Sequence, residues 1–573
     1  MRVFTVDEVK AHSKPDDLFI IVHGDVYDVT EFKNEHPGGK KSTFTLTTIT
    51  PSRDVTPGLA CWGAMSFLER VAGKDATVQF QKYHKDSVLD KYRGKLQVGS
   101  LEGKAPPAPK PEPPKPAPAA PAKSVAVSAK TEEDATALEP YGDMIPYGDP
   151  AWYQSIVDQR SQYHSPYYNA THAALRKEVR EWITSEIEPY VTEWDEARHV
   201  PDTIFQQMGQ RGYLAGLLGV KFPVEFTDRR VASVPAEQWD HFHELILTDE
   251  LSRTGSGGFV WSQIGGYGIG LPPVIRFAQE PLKQRILPGL LAGEKRICLA
   301  ITEPDAGSDV ANLTCEAKLT PDGKHYIVNG EKKWITNGIW ADYFTTAVRT
   351  GGPGMGGVSV LLIEKTHPGV SVRKMDCQGV WSSGTTYITF EDVKVPVENL
   401  VGKENQGFKV IMTNFNHERL GIVIQCNRFS RVLYEESMKY ANKRKTFGKK
   451  LVEHPVIRMK LAQMARQVEA CHNWLENIVY QCEKMGTTES MLRLGGAIAG
   501  LKAQATTTFE FCAREAAQIF GGLAYTRGGQ GAKVERLYRD VKAYMIPGGS
   551  LEIMEDLSIR QAMRVHKALG MKL

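Results

Sequence analysis

The stretch TNFNHERLGIVIQCNRFSRVLYEESMKYANKRKTFG, residues 413–448, predicts one long helix that ends in a basic turn. Apolar residues recur at helical spacing, and neither Pro nor Gly falls between Ile422 and Lys445. Glu418 lies near the start of this helix and Arg444 lies at its end. At about 1.5 Å per residue the two are roughly 39 Å apart, so one chain cannot bring both to one small-molecule site. If both are functional, they serve different sites and an oligomer is implied.

The composition is that of a soluble globular protein with more than one domain. The chain has 573 residues, of which 42% are hydrophobic and 24% are charged. A net charge of +3 favours no polyanionic partner, so we expect no nucleic-acid binding. Eight cysteines occur without a CxxC pair, which argues against a disulfide framework and a zinc site.

The chain shows no membrane or secretion signal. No apolar run reaches the roughly 18 residues that a transmembrane helix needs, and the first 17 residues are rich in acidic side chains. We therefore expect an intracellular, soluble protein without a transmembrane segment. The compartment is cytoplasmic or peroxisomal, the latter because the final Met571-Lys-Leu573 is related to the peroxisomal Ser-Lys-Leu address.

Near the N-terminus, residues 19–39 read FIIVHGDVYDVTEFKNEHPGG. Two β-rich runs are separated by a turn, and the Pro-Gly-Gly that follows holds His36 on a tight loop. A second histidine, His84, lies downstream. These residues are similar to cytochrome b5, and the resemblance implies that His36 and His84 are the axial ligands of haem b. Two neutral imidazoles leave no open position on the iron, which suits electron transfer.

The spacing of the two histidines departs from this family. They are 48 residues apart, about twice the family spacing, and the excess corresponds to the 24 residues 43–66. Long loop insertions cost little entropy, but this one interrupts the haem-pocket helices and has neither helical nor strand periodicity. The segment is an outward loop or a misassigned coding segment, and we predict the latter. A transcript that encodes all 24 residues would exclude the misassignment.

A proline-rich linker separates this domain from the rest of the chain. Residues 105–121 contain nine prolines in 17 residues, a composition that favours extended polyproline II and cannot build a core. A ligand for a proline-binding module is the alternative to a plain spacer. The predicted domains are therefore a haem-binding domain at 1–100, a linker at 101–140 and a catalytic body beyond it.

The remaining residues change periodicity twice. Helical patterns dominate 141–295, short β-branched strands dominate 296–403, and helical patterns return over 404–573. We expect the glycine runs at 255–258 and 265–270 to break the first set of helices. This order resembles the acyl-CoA dehydrogenase family over roughly 140–567. The fold class is then multidomain α+β: a small cytochrome b5-like domain, a Pro-rich linker, an N-terminal helical domain, a middle β-barrel domain and a C-terminal four-helix bundle.

Several motifs carry the resemblance. They are LAITEPDAGSD at 299–309, KKWITNG at 332–338, QIFGG at 518–522 and IPGGSLE at 546–552, together with RKTFGK at 444–449. By resemblance, these motifs bind FAD. The motif RKTFGK, at the end of the long helix, reaches the flavin of a neighbouring subunit in a homodimer or homotetramer. The implied FAD-binding residues are Leu299, Ile301, Thr302, Ser308, Trp334, Thr336, Arg444, Thr446, Phe447, Gln518, Gly521, Gly522, Gly549, Ser550 and Glu552. Ser308 and Arg419 are implied on the substrate side.

Position 548 decides where the catalytic base lies. Many family members carry the catalytic Glu there, but this chain has Gly548, and glycine cannot transfer a proton. Either the enzyme is inactive or the base comes from elsewhere, and Glu418 occupies the position used by the isovaleryl- and long-chain-type enzymes. Glu552 and Glu555 are nearby carboxylates, but Glu552 fits the usual Glu/Gln of the loop and Glu555 fits a helix face. We therefore predict Glu418 as the base.

The predicted reaction is oxidation of an acyl-CoA to the trans-2-enoyl-CoA. Polarisation of the thioester acidifies the α-hydrogen, a carboxylate in a dry pocket removes it, and the β-hydrogen leaves as hydride to FAD. The electron acceptor is an electron-transfer flavoprotein, oxygen or another redox protein, and the haem domain could relay electrons or serve in docking. The alternatives are an acyl-CoA oxidase-like enzyme and a catalytically silent flavohaem protein.

Overall fold

The computed structural model describes residues 2–14, 16–32, 72–77, 80, 93–102, 145–153, 164–219 and 221–570. The chain divides into two compact units, Met1–Ala135 and Thr136–Leu573. The predicted haem ligands His36 and His84, the segment 43–66 and the proline-rich linker lie outside the described residues. Within the described part, no helix is both long enough and apolar enough to cross a membrane.

The first unit is built on a small mixed sheet. Its elements are β1 (Arg2–Phe4), α1 (Val6–Ala11), β2 (Ser13–Lys14), β3 (Asp17–Val22), β4 (Asp25–Asp28) and β5 (Gln97–Leu101). The strand order is β1-β5-β4-β3-β2. Strands β3 and β4 form the antiparallel hairpin predicted around His23-Gly24, with Phe19 opposite Asp28. Alternate side chains of β3, including Leu18, Ile20 and Val22, are buried on one face, as a half-buried strand requires.

The second unit begins with helices. They are α2 (Ala170–Trp182), which continues into a π-helical turn at Ile183–Ile187, α3 (Val191–Glu196), α4 (Asp202–Gln210), α5 (His241–Ser252), α6 (Gly257–Ile269), α7 (Leu271–Phe277) and α8 (Glu280–Leu291).

The middle of this unit is a seven-stranded sheet. Its strands are β6 (Ile297–Ala300), β7 (Glu316–Leu319), β8 (His325–Ile335), β9 (Tyr343–Arg349), β10 (Val358–Glu364), β11 (Val370–Lys374) and β12 (Thr386–Pro396). The order is β10-β9-β7-β8-β12-β11, and β6 pairs in parallel with β9.

The C-terminal part is again helical. It comprises α9 (Gly407–Lys443), the short hairpin β13 (Lys445–Thr446) and β14 (Lys449–Lys450), α10 (Pro455–Lys484), α11 (Thr487–Phe520), α12 (Gly522–Tyr525), α13 (Ala532–Met545) and α14 (Leu551–Ala568). The four long helices pack together, with α11 in contact with α9, α10 and α14. The predicted order of helices, sheet and helices, and the single long helix through Glu418, are therefore confirmed.

The expected helix break at 265–270 is wrong in part. Gly265, Gly266 and Gly268 lie inside α6, and the chain turns only at Gly270. A Cβ on Gly266 would lie 1.8 Å from the carbonyl oxygen of Ile297. Gly266 thus lets α6 pack against the first strand of the sheet, and this tertiary contact outweighs the low helix propensity of glycine.

A buried ionic network fixes α9 to the first helices. Arg428 on α9 donates through Nε to Asp249 (2.9 Å) and through Nη1 to Asp149 (2.9 Å). Arg180 on α2 donates to the same Asp149 and to Glu250. Because each charge meets an opposite charge, attraction and hydrogen bonds within the network offset the cost of taking these groups out of water. The network orients the helix that carries Glu418.

Candidate active site

Glu418 lies on α9, and its Oε2 is buried without a hydrogen-bond partner among the described residues. Burial raises the pKa of its carboxyl above the ordinary value, while the positive charges of Arg419, Lys502 and His417 oppose the rise. A buried carboxylate oxygen that no protein group uses is free to accept a proton from a bound molecule. This is the arrangement that a general base requires.

Gly548 lies directly beside this carboxylate. Its φ of +68° is in the left-handed region, where glycine is favoured. A Cβ built on Gly548 would lie 3.7 Å from Oε1 of Glu418 and 2.9 Å from Cδ1 of Ile422. A side chain at position 548 and the side chain of Glu418 would therefore occupy neighbouring space, although the two residues are far apart in sequence.

Two cationic side chains hold the loop that contains Gly548. Arg419 Nε donates to the carbonyl oxygen of Gly548 at 2.9 Å. Lys502 Nζ, on α11, donates to the carbonyl oxygens of Met545 (2.9 Å) and Gly549 (2.6 Å). Sequence reasoning named Arg419 for the substrate side and missed Lys502, because a single lysine inside a long helical pattern gives no signal of its burial.

His417, the residue before Glu418 on α9, joins this helix to α5 and α6. Its Nδ1 lies 3.0 Å from the carbonyl oxygen of Gly268, and its Nε2 lies 2.5 Å from a carboxylate oxygen of Glu244. Burial alone would lower the pKa of His417, but the carboxylate of Glu244 raises it above the ordinary value. Both ring nitrogens face acceptors, so the imidazole is held as a cation that donates to both.

The loop after β6 and the strand β8 form a second part of the site. The backbone N–H of Lys333 donates to the carbonyl oxygen of Thr302 at 2.9 Å. Lys332 Nζ donates to the carbonyl oxygen of Ile301 (3.0 Å) and to Glu303 (2.7 Å), and both of these charged side chains are buried. The predicted residues of the two motifs, 299–309 and 332–338, are therefore brought side by side.

Trp334 and Thr336 lie at the open end of β8. Trp334 has a φ of +59° and leaves 49% of its surface exposed, so an indole face is available to a planar ligand. A Cβ on Gly265 of α6 would lie 2.9 Å from Cγ2 of Thr336. The carbonyl oxygen of Gly268, about one turn further along α6, contacts His417, the residue before Glu418.

The other predicted residues divide between this region and a distant one. Leu299 lies on β6, Ser308 is exposed in the loop after it, and Gly549, Ser550 and Glu552 lie at the start of α14. The distant set is exposed or half-exposed and comprises Arg444, Thr446, Phe447, Gln518, Gly521 and Gly522. These residues meet at the far ends of α9 and α11, where the rings of Tyr440 and Phe520 stack 4.4 Å apart.

Glu552 differs from Glu418 in its surroundings. It is exposed in the first turn of α14, and hydrogen bonds from its own backbone N–H and from Ser550 lower its pKa. A carboxylate that is solvated and accepts hydrogen bonds at a helix start is a weak base. Glu555 is exposed as well.

One group of three potential metal ligands occurs in the part of the chain that the structure describes: His172, Asp240 and His243. His172 Nδ1 accepts the N–H of Asn169, and its Nε2 donates to Asp240 at 3.0 Å. His243 Nε2 lies 3.0 Å from Thr171 Oγ1, and its Nδ1 lies 2.7 Å from Asp240. The two Nδ1 atoms belong to the capping boxes of α2 and α5, and the two Nε2 atoms bond to Asp240 and Thr171 between the helix ends. These hydrogen bonds account for the group without a metal.

Comparison with known proteins identifies the fold. Residues 169–294, 298–393 and 405–563 match the family models of the acyl-CoA dehydrogenase N-terminal, middle and C-terminal domains. The acyl-CoA dehydrogenase apdG of Emericella nidulans is 42% identical over 434 residues, which cover 75% of this chain and 98% of that protein. The chain belongs to the acyl-CoA dehydrogenase family. It is an oxidoreductase of the class that acts on CH–CH groups.

Two solved structures support this assignment. A probable acyl-CoA dehydrogenase from Mycobacterium abscessus is 34% identical, with a TM-score of 0.62, and the match covers 69% of this chain and 100% of that one. An acyl-CoA dehydrogenase from Bacillus anthracis complexed with FAD is 26% identical, with a TM-score of 0.63 and coverage of 70% and 69%. Residues 5–47 match the cytochrome b5-like haem/steroid binding domain. The predicted fold class, a cytochrome b5-like domain followed by an acyl-CoA dehydrogenase fold, is confirmed.

Proposed function

We propose that this member of the acyl-CoA dehydrogenase family oxidises an acyl-CoA to the trans-2-enoyl-CoA with Glu418 as the base. The observation that carries the proposal is the buried Oε2 of Glu418, which lies beside Gly548 and has no hydrogen-bond partner in the described part of the chain. A carboxyl with a raised pKa takes a proton more readily near neutral pH than an ordinary glutamate does. Glu418 therefore removes the α-proton of the thioester and holds it on the carboxyl.

The residues at the ends of β6 and β8 fit a flavin. The half-exposed indole of Trp334, at a backbone position that turns its ring outward, and the neighbouring Thr302 and Thr336 offer a flat surface with small hydroxyls. FAD, when bound, supplies the acceptor for the β-hydride. The exposed Ser308 of the same loop and Arg419 are the proposed substrate contacts, and the Nε of Arg419 is already used by Gly548.

We propose that the distant set of residues serves the FAD of a second copy of the chain. An unbroken helix of 37 residues, Gly407–Lys443, joins the region of Glu418 to the region of Arg444. The roughly 39 Å between them is too long for one small-molecule site. Phe447 is 97% exposed and Tyr525 is 93% exposed, so this end of the protein offers apolar surface that a second copy would cover in a homodimer or homotetramer.

The test of the base is the variant Glu418→Gln, which keeps the shape of the side chain but cannot accept the α-proton. It should bind FAD normally, and its flavin absorbance should not bleach when acyl-CoA thioesters of different chain length and branching are added. Glu555→Gln, which changes an exposed carboxylate on α14, is the matched control and should bleach like the wild type. Bleaching at the wild-type rate in Glu418→Gln would remove Glu418 from the mechanism.

A second proposal concerns electron flow through the N-terminal domain. The match of residues 5–47 to a cytochrome b5-like domain supports haem b binding, with His36 and His84 as the proposed ligands. The match ends inside the segment 43–66. A bis-histidine haem would accept electrons one at a time and pass them on. In stopped-flow spectra after substrate addition, the haem Soret band should change as the flavin reoxidises, and an unchanged band would exclude the relay.

Oxygen is the alternative acceptor, and it can be separated from a protein acceptor by product analysis. If the enzyme discharges to oxygen, hydrogen peroxide should form in proportion to the enoyl-CoA produced. If an electron-transfer flavoprotein or another redox protein is the acceptor, turnover in air should be slow until that protein is added.

A further inference from the structure

Lys502 is a fully buried ammonium group in the wall of the proposed active site. It lies in the interior of α11, is 0% exposed, and makes no direct hydrogen bond to a carboxylate of the described residues. Its hydrogen bonds go to two backbone carbonyl oxygens, those of Met545 and Gly549, at 2.9 and 2.6 Å. An ammonium group buried in this way needs a reason, because lysine is rarely buried without a paired charge.

The opposite charge that acts on Lys502 is that of Glu418. Burial lowers the pKa of the Lys502 ammonium to about 8, helped by the charge of Arg419, while Cys426 and Glu418 oppose this fall. Burial raises the pKa of the Cys426 thiol so that it stays neutral, which leaves Glu418 as the group that can carry a negative charge. In return, Lys502 lowers the pKa of Glu418 together with Arg419 and His417.

Lys502 and Arg419 attract the charge of Glu418 but donate no hydrogen bond to its Oε2. Lys502 and Arg419 both donate to carbonyl oxygens of the loop 545–549, and neither donates to Oε2 of Glu418. The two cations therefore favour the ionised carboxylate through space and leave that oxygen free. A direct ion pair would have occupied the same lone pairs that the proton of a substrate needs.

The loop itself needs such support. Gly548 and Gly549 both have positive φ values, +68° and +103°, and two adjacent glycines give the backbone little conformational restraint. The loop joins α13 to α14, and Met554 of α14 packs against Ala499 and Ala503 of α11, on either side of Lys502. Lys502 thus ties the flexible stretch between two anchored helices to a third.

We propose that Lys502 is a positioning residue for the proposed reaction: it clamps the loop 545–549 to α11 and supplies a buried positive charge for Glu418 without occupying its free oxygen. This inference rests on the proposed role of Glu418. It assigns two separable effects to one side chain, one mechanical and one electrostatic.

Lys502→Met tests both effects in the full-length FAD-bound protein, since it keeps the length of the side chain and removes the charge and both hydrogen bonds. Amide hydrogen exchange across 545–549 should speed up several-fold because the clamp is lost. The acid limb of the pH profile of kcat/KM should move to higher pH by roughly half a unit to one unit, because loss of a nearby cation raises the pKa of a carboxylate. Arg493→Met removes an exposed charge from the same helix, and it should change neither quantity.

Lys502→Gln separates the two effects and stands in if Lys502→Met does not fold. It keeps a donor but has no charge, so the acid limb should move as far as in Lys502→Met while exchange rises less. An unchanged acid limb or unchanged exchange in both variants would overturn the proposal. Because exchange needs no turnover, this failure is distinct from that of the proposed function, which fails if Glu418→Gln still bleaches the flavin.

Discussion

The proximity of Glu418 and Gly548 predicts that the catalytic carboxylate can be moved between them. The perturbation is the double variant Glu418→Ala/Gly548→Glu, compared with each single variant. A Cβ at position 548 would lie 3.7 Å from the present Oε1 of Glu418. Since the carboxyl carbon of a glutamate is two bonds beyond Cβ, a rotamer aimed at the vacated space should return an acceptor oxygen to the same region.

The structure also sets the size of the expected effects. Loss of the base in Glu418→Ala should slow flavin reduction by about 10² to 10⁴-fold. The introduced carboxylate should recover at least about tenfold, or roughly 1.4 kcal/mol of transition-state stabilisation. Recovery should be incomplete, because a side chain at a φ of +68° costs about 1–2 kcal/mol and its Cβ would press on Ile422 at 2.9 Å.

The assay is anaerobic stopped-flow measurement of the flavin absorbance after mixing with an acyl-CoA that the wild type oxidises. Denaturant unfolding of Gly548→Glu in parallel measures the backbone cost and shows that the variants fold. A double variant that binds FAD and folds, but reduces its flavin no faster than Glu418→Ala, would refute the idea that both positions reach one substrate atom. Wild-type rates in Glu418→Ala would refute the base assignment itself.

Two further predictions concern stability. Below about pH 4.5 Glu418 is protonated in both folded and unfolded chains. Between that pH and its raised folded pKa, the folded state binds more protons, so stability falls as pH rises through this window. Relative to pH 4, Glu418→Gln should therefore gain stability over the wild type at pH values above the window. The gain should be about 1.4 kcal/mol for each pH unit between the unfolded and folded pKa values of Glu418. Thermal unfolding of both proteins from pH 4 to 8 measures this gain, and a stability difference that stays constant with pH would contradict the reasoning. On α6, Gly266→Ala should destabilise strongly, because its Cβ would lie 1.8 Å from the Ile297 carbonyl oxygen, whereas Gly268→Ala, whose nearest atom is 4.0 Å away, should be neutral or should stabilise by up to about 1 kcal/mol. Equal unfolding free energies for the two variants would show that close packing does not explain the glycines.

The sequence predicted the architecture well because the periodicities are strong. The unbroken helix through Glu418 follows from apolar spacing without Pro or Gly, and the change from period 3.6 to period 2 near residue 296 marks the start of the sheet. The prediction was poorer where tertiary contacts determine the local structure. The helix α6 contains Gly265, Gly266 and Gly268, and no local pattern indicates that the sheet requires close approach there.

Strand β8 shows the same limit for charged residues. The sequence predicted only short β-branched strands over 296–403, but β8 runs for 11 residues, from His325 to Ile335, and includes Lys332. A lysine is ordinarily a solvent-facing residue, yet Lys332 is buried because Glu303 and the Ile301 carbonyl accept from it. Its partner Glu303 lies 29 residues earlier in the loop after β6, so the pair becomes visible only once that loop lies against β8. Lys502 escaped prediction for the same reason.

The position of the base links α9 to Gly548, a residue that the sequence presents as unrelated to this helix. Gly548 has no side chain, so Cδ1 of Ile422 on α9 can approach within 2.9 Å of the point where a Cβ would lie, and the Gly548 carbonyl can accept from Arg419 across 129 residues of sequence. A larger residue at 548 would collide with Ile422, and a smaller residue at 418 would leave a cavity beside the loop. Ile422 therefore limits the side chain that position 548 can carry through packing alone, independently of proton transfer. It follows that full recovery of activity at position 548 should require a smaller residue at 422 as well.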